Sequence, residues 1–321
     1  MRFFARIRNL YDYCQSHGFI ATLRFVWIKC RAACARHPFG WRVAYVYNPF
    51  VATGDVVDYS RQADLVNERL HGVPELQLKR FTIDIADYYR YIEAADYAAF
   101  GEYYQGGDSG NPDHRYEKFL QHYLSLKLLE LNSSDVYIDV ASNTSPMKDI
   151  VRRLFGAETY SMDLKYESGI NGDRIGCDAG DTGLRDGFAS KLSLHCSFEH
   201  FAFGSDIRFV REAGRILRPG GRVCIVPLYL LNEYSIRQDP TLEADLSISD
   251  REGAKRVFVR DYLVDYGRFY DVEALRQRIL AACKGTLNPI VYRVGNLAEL
   301  NQPNVYSHFV LLLEKPAGER S

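Results

Sequence analysis

The sequence predicts an α/β fold: a doubly wound, mostly parallel, seven-stranded sheet with a helical N-terminal extension. Three observations lead there. Between residues 136 and 226 short buried runs alternate with amphipathic stretches, and that alternation builds a parallel sheet with right-handed crossovers and helices on both faces. Asp139, Asp163 and Asp178 fall at or just past the ends of such runs, where an open α/β sheet places its ligand crevice. Two further strand-like runs, 289–294 and 306–314, follow near the end of the sequence. They suit an antiparallel pair at the sheet edge.

Residues 1–45 carry eight Lys or Arg against a single acid, Asp12, and both tryptophans, Trp27 and Trp41, lie among further aromatics there. Basic residues interleaved with aromatics at helical spacing describe a helix pair suited to an anionic membrane surface. Packing of the aromatics on the main domain is the structural alternative, and nucleic acid is the least favoured partner. Residues 48–100 are mixed, with helices expected at 65–70 and 83–92. The loop 105–113 ends where Asn111 can cap a helix and Pro112 can occupy its first position. Tyr116, Phe119, Leu120, Tyr123 and Lys127 then recur with a period near 3.6, so 112–131 read as an amphipathic helix.

Strands are expected at 136–140, 159–163, 174–177, 191–195 and 222–226, with helices between them, clearest at 146–155 and 206–217. The segment 228–269 is too long for a simple connection and carries Glu233, Tyr234, Arg237, Arg260, Tyr262 and Tyr266. Long insertions in compact domains are usually functional or disordered, and this one reads as a cover over an acceptor. The chain therefore divides into an extension, 1–110, and a main domain, 111–321, with an insertion at about 228–269.

Composition narrows the class. With 47% hydrophobic and 25% charged residues in 321 and a net charge of -1, disordered, collagenous and coiled-coil chains are excluded. No run reaches the about 18 apolar residues of a membrane span, and Arg2, Arg6 and Arg8 interrupt any signal-peptide core. Seven cysteines without framework spacing indicate a reducing, cytoplasmic setting, peripheral to the inner membrane face where the basic arm engages it. Cys14, His17, Cys30, Cys34 and His37 have spacings open to zinc; small buried hydrophobes on a helix face are the favoured reading. No metal site is expected in the main domain.

An ordered set of motifs carries the chemistry: VYIDVASNTS (136–145), YSMDL (160–164), CDA (177–179), SFEHF (197–201) and REAGRILRPGGRVCIVP (211–227). Together they resemble a class I S-adenosylmethionine-dependent methyltransferase. The last is the strongest, since a helix bearing Glu212 and Arg215 ends in Pro219-Gly220-Gly221 and leads straight into a buried run, the usual approach to the family's fifth strand. The resemblance implies that Asp163 accepts hydrogen bonds from the cofactor's ribose hydroxyls, that Asp178 and the backbone at Ala179 read its adenine, and that Asp139 helps place its methionine end. The first motif departs from Asp-x-Gly-x-Gly-x-Gly, with Ala141, Asn143 and Ser145 in the glycine positions. Ala189 likewise stands where many relatives have an acid before the fourth strand.

Methyl transfer is an in-line displacement, so the protein mainly positions the acceptor and, for a hydroxyl, removes its proton. The family's Asn-Pro-Pro-Tyr signature for amine acceptors is absent, and His195-Cys196-Ser197-Phe198-Glu199-His200 stands in its place. His200 is the first candidate base, with Glu199 and His122 behind it; pairing of Glu199 with Arg215 is the structural alternative. The expected activity is O-methylation of a sugar, glycan or other small hydroxyl acceptor. A non-catalytic binding or scaffold protein of the same fold is the alternative, and a nicotinamide-dependent dehydrogenase is disfavoured because no Gly-x-Gly-x-x-Gly follows the first strand.

Overall fold

The structure, a computed structural model, describes residues 52–53, 59–101, 114–239, 253–258 and 264–318. The basic arm 1–45, with its candidate zinc ligands, lies outside these residues. Two compact units are present, one comprising 1–57 and 235–267, the other 58–234 and 268–321.

In the larger unit the strands are β1 (Gln77–Phe81), β2 (Val136–Val140), β3 (Glu158–Asn171), β4 (Arg174–Gly176), β5 (Ala189–His195), β6 (Leu217–Val226), β7 (Asn288–Val294) and β8 (Phe309–Glu314). They form one sheet in the order β1-β7-β8-β6-β5-β2-β3-β4. Taken as whole strands, only β8 runs against its neighbours, antiparallel to both β7 and β6, so the doubly wound, mostly parallel sheet is as expected. It has eight strands, one more than the sequence suggests.

The additional strand explains itself. β1 reads QLKRF and is largely exposed; as an edge strand with only Leu78 against one apolar layer and Phe81 against the other, it lacks the apolar run that marks an interior strand. Its partner is β7, in parallel register from Gln77 opposite Ile290 to Phe81 opposite Val294. Consequently the antiparallel β7–β8 pair lies inside the sheet rather than at its edge. A segment assigned by sequence to the N-terminal extension thus completes the main sheet.

Interior strands divide their side chains between two apolar layers. Phe309, Leu311 and Leu313 of β8 join one cluster and Val310 and Leu312 the other, the period-two pattern of a strand buried on both faces. The first layer is covered by α1 (Tyr59–Leu70), through Ala63, Val66 and Leu70, and by α5 (Ser205–Ile216), through Phe209, Val210 and Ala213. It also receives α6, built from Val272–Ala274, a π-helical stretch Leu275–Leu280 and Ala281–Cys283. The second layer is covered by α2 (Ile85–Ala95), α3 (His114–Leu129) and α4 (Met147–Phe155). Asp84 starts α2 by accepting from the Asp87 N–H, and Gly156, left-handed at φ 68°, stops α4.

Helices do not follow every strand. Between β3 and β4 the chain turns at Gly172 and Asp173 instead, so that β4 pairs with Ser161–Asp163 in parallel sense and with Ile170 and Asn171 in the reverse sense. β4 is wedged between two arms of one long strand, and a Cβ on Gly176 would run into the Glu167 carbonyl. Glycine is required there by space alone.

The smaller unit holds a parallel arrangement of Ala52–Thr53, Lys255–Phe258 and Ser235–Gln238, the middle strand pairing with both others. Arg237 of the proposed cover is in this unit, whereas Arg260 and Tyr262 lie outside the described residues. Among the described residues no helix is long and apolar enough to cross a membrane.

Candidate functional site

Strand order reverses at β2: the chain moves from β2 to β3 on one side and later to β5 on the other. The crevice outside the carboxyl ends of β2 and β5 is therefore the expected ligand site. Two cavities of about 340 and 290 Å³ open there and share Ala141 in their walls.

The loop leaving β2 divides them. Ala141 and Asn143 have φ of 53° and 46°, so two of the positions where the resemblance calls for glycine do adopt the left-handed backbone that favours it. Asn accepts this region readily, whereas Ala there costs about 1 to 2 kcal/mol. The loop is tied down against that strain. The Asn143 N–H donates to Asp163 Oδ2 at 2.8 Å, the Ser142 N–H to the Met162 carbonyl at 3.0 Å, and the Tyr166 hydroxyl to the Asn143 carbonyl at 2.9 Å. Ala141→Gly is expected to relieve the strain at a smaller cost in unfolded-chain entropy, about 0.4 to 1 kcal/mol, for a net gain of about 0.5 to 1 kcal/mol. Denaturant unfolding measures it; a clear loss of stability contradicts the left-handed assignment.

The smaller cavity is a slot. Ala141, Met162, Leu164, Ala179, Phe201 and Phe203 give it apolar walls, and Asp163 and Asp178 stand on its border. Asp163 Oδ2 and Oδ1 accept from the Asn143 and Lys165 N–H groups at 2.8 and 3.0 Å. Each carboxylate oxygen has two lone pairs, so the residue that anchors the loop keeps acceptor capacity for a ligand. Asp178 Oδ1 accepts from the Gly180 N–H at 2.8 Å, and its Oδ2 lies 3.5 Å from Arg208 Nη2.

The larger cavity is a polar chamber lined by Lys118, His122, Asp139, Asn143, His195 and Cys196 among others. His122 is buried and its Nδ1 is 2.7 Å from the Tyr97 hydroxyl, itself 2.6 Å from that of Tyr91. Its ring meets the edge of the His195 ring, with centroids 4.7 Å apart. Burial and the neighbouring His195 hold the His122 imidazole well below its ordinary value, so it is neutral through physiological pH. Cys196, at φ 47°, directs Sγ toward Gln121 Nε2 at 2.9 Å and toward the Tyr229 and Tyr306 hydroxyls at 3.6 and 3.8 Å. Burial pushes its thiol up.

The structure separates the three candidate bases. His122 lines the polar chamber, whereas His200 lines the apolar slot with a side chain 42% exposed. Glu199 is buried, with Oε1 3.6 Å from His200 Nε2, and burial raises its carboxyl. It does not pair with Arg215, which instead bonds Glu212 and Asp186. Asp139, Ala141 and Asn143 border the chamber, and Asp163, Asp178 and Ala179 border the slot. Sequence reasoning passed over His195, Lys118 and Cys196. His195 had a usable signal as the last residue of a strand beside the reversal point; Lys118, whose Nζ donates to the His195 carbonyl at 3.2 Å across 77 residues of chain, had none. Among the described residues no three His, Cys, Asp or Glu side chains cluster to hold a metal.

Without its extra edge strand β1, the sheet runs β4-β3-β2-β5-β6-β8-β7 with β8 alone reversed. The fold is that of the class I methyltransferases. No family model and no curated protein matches the sequence. Solved structures similar to this chain include 1,6-didemethyltoxoflavin-N1-methyltransferase of Burkholderia thailandensis, with S-adenosylhomocysteine bound, at 13% identity and a TM-score of 0.43, covering 73% of this chain and 91% of the other. Geranyl diphosphate C-methyltransferase of Streptomyces coelicolor A3(2), also with S-adenosylhomocysteine, matches at 14% identity and 0.39, covering 81% and 99%. A geranyl diphosphate methyltransferase in complex with sinefungin matches at 16% and 0.39, covering 72% and 98%. At such identities the activity of this chain has to be argued from its own side chains.

Proposed function

We propose that this protein is an S-adenosylmethionine-dependent methyltransferase acting on a small hydroxyl acceptor such as a sugar or glycan. The observation that carries the reading is the loop at the strand reversal. Its left-handed Ala141 and Asn143, tethered to Asp163, keep the backbone form of a glycine-rich cofactor loop without the glycines. The residues fit the cofactor in two parts. The apolar slot suits an adenine ring, with Asp163 for the ribose hydroxyls and Asp178 beside Ala179 for the base; the polar chamber suits the charged amino-acid end.

S-adenosylmethionine supplies, when bound, a methyl group on a sulfonium that is a good leaving group. The protein's own task is to hold the acceptor oxygen in line and remove its proton. His122 is the base that the chamber favours: it is buried, neutral at physiological pH, and held through Nδ1 by the Tyr97 hydroxyl. The hydroxyls of Tyr229 and Tyr306 beside Cys196 suit a polyhydroxylated acceptor.

Calorimetric titration with S-adenosylmethionine and S-adenosylhomocysteine tests the reading, and absence of binding returns the chain to the scaffold alternative. Asp163→Ala is expected to cost about 1.5 to 3 kcal/mol in cofactor binding, or about 10- to 150-fold in affinity. Since the carboxylate also bonds two backbone N–H groups of the loop, the unliganded variant should lose about 1 to 3 kcal/mol of stability as well. Unchanged affinity in the folded variant removes Asp163 from the site.

A further inference from the structure

The parallel register of β1 and β7 sets Arg80 directly opposite Arg293. Leu78 and Val291, two positions earlier on the same strands, pack in the first apolar layer, which α1 covers, and side chains two apart on a strand share a face. Both guanidinium groups therefore stand on the α1 face, side by side at the sheet edge. Like charges directly opposite across paired strands repel. The cavity walls supply one acid against the two cations: Asp64 of α1, whose Oδ1 is 3.1 Å from Arg293 Nη2 and whose side chain is 83% exposed. Arg80 has no hydrogen bond or ion pair among the described residues.

Both guanidinium groups are placed by their surroundings. Arg293 Nη1 donates to the Val294 carbonyl at 2.7 Å and to His308 Nδ1 at 3.0 Å, and its charge lies 5.4 Å from the centre of the Phe309 ring. Arg80 rests against Gly295, where a Cβ would run into its guanidinium; the backbone of Gly295 is not left-handed, so glycine is needed there for room alone. Two cavities of about 580 and 460 Å³ meet at the pair and share Asp64, Arg293 and Gly295 in their walls. Asn67 and His71 border the smaller, Gln302 and His308 the larger. Lys79 also borders the smaller, but its ammonium lies toward Tyr292 of the second apolar layer. The cavities open where β1 and β7 end, and these strands run in the same direction as β2. That is the edge at which an open α/β sheet takes its ligands.

We propose that Arg80 and Arg293 form a clamp for a phosphoryl group on a ligand other than the cofactor. The site goes beyond the methyl-transfer reading and stands without it. A carboxylate offers two oxygens, which a single guanidinium fork occupies. A phosphoryl group offers three and up to twice the charge, enough for two forks standing together. Seated between them, it turns their mutual repulsion into attraction to a shared centre. Arg293 keeps its Nε and one Nη2 proton for this contact, and Arg80 all five of its N–H groups. Asp64 is no obstacle, because an ion pair so exposed is weakly held.

Calorimetric titration of the full chain with inorganic pyrophosphate, at one low ionic strength because exposed charges are screened by salt, tests the clamp. The unmutated protein should bind pyrophosphate and leave acetate unbound. Arg80→Gln should lower the affinity about tenfold or more, the effect of losing a charged hydrogen bond, and should hold or raise the denaturant midpoint, since a repulsion goes with the charge. Gly295→Ala keeps both charges but displaces the Arg80 guanidinium, so it should lower the affinity as well. Lys284→Gln, at an exposed position outside both cavities, should change nothing. Absence of pyrophosphate binding overturns the proposal, and so does affinity unchanged in Arg80→Gln, which moves the binding to another basic surface. Equal losses in Arg80→Gln and Lys284→Gln, or a loss in Arg80→Gln with none in Gly295→Ala, reduce the clamp to diffuse charge and overturn it too. Pelleting with phosphatidic acid vesicles separates the sources: a loss in Arg80→Gln assigns the phosphoryl group to a lipid headgroup, and equal pelleting of parent and variant, beside the pyrophosphate loss, assigns it to a soluble ligand.

Discussion

His122→Gln lowers turnover on the true acceptor by about 100- to 10,000-fold, the contribution of a positioned general base. Glutamine keeps a polar side chain of similar reach toward Tyr97 yet cannot take a proton at neutral pH, so the loss reports proton removal rather than a hole in the chamber wall. Affinity for methylthioadenosine, which has the cofactor's nucleoside without its amino-acid end, should hold, because the slot that suits the nucleoside is not lined by His122. The pH profile carries a sign of its own. Burial disfavours the charged imidazole and holds His122 well below its ordinary value, so the unprotonated, active form persists through neutral pH. Turnover at saturating cofactor should stay level through neutrality and fall only below about pH 6.5. A folded variant with full turnover removes His122 as the base and leaves positioning alone to the chamber.

Asp206→Ala should destabilise the larger unit by about 3 to 5 kcal/mol, the cost of breaking a buried ion pair from one side. Asp206 is fully buried near the start of α5. Its Oδ2 is 2.8 Å from Arg268 Nη1, its Oδ1 is 2.8 Å from Arg278 Nη2, and the Tyr270 hydroxyl donates to it at 2.8 Å. Arg268 is itself wholly buried. Removing the carboxylate leaves guanidinium charge in the core, whereas the carboxylate now links α5, the segment after the insertion, and α6. Burial opposes the charge on Asp206, but Arg278 and Arg268 more than offset it and hold the carboxyl below its usual range. Its pKa is depressed on folding, so its contribution is complete above the unfolded value of about 3.9 and is lost as pH falls through the lower folded value. Denaturant midpoints at neutral pH and in acid measure both effects; a variant within about 0.5 kcal/mol of the parent, the usual range of inert surface changes, shows that the pair contributes specificity rather than stability.

The parts of this protein that the sequence determined are those written in neighbouring residues. Apolar periodicity marked the interior strands 136–140 and 191–195 and the helices α3, α4 and α5 to within a few residues. Strand-end position marked Asp139, Asp163 and Asp178, because a parallel sheet fixes where its carboxyl ends open. Small or turn-compatible residues at Ala141 and Asn143 indicated that the loop could keep its path. Tertiary structure alone decided the rest. β1 sets only Leu78 and Phe81 against the two apolar layers and becomes a strand because β7 offers it an edge to pair with. β4 is held without a helical crossover because β3 bends around it. The chamber's chemistry depends on register: Asp139 lies opposite Ser193 across the sheet, which brings the next inward position on β5, His195, beside it, while α3 lays His122 against the same ring. Those contacts join residues 56 and 73 positions apart in the chain. Local patterns decide which segments are strands or helices, but a side chain's partner across such a span is set by strand pairing and packing, which no neighbouring residue encodes.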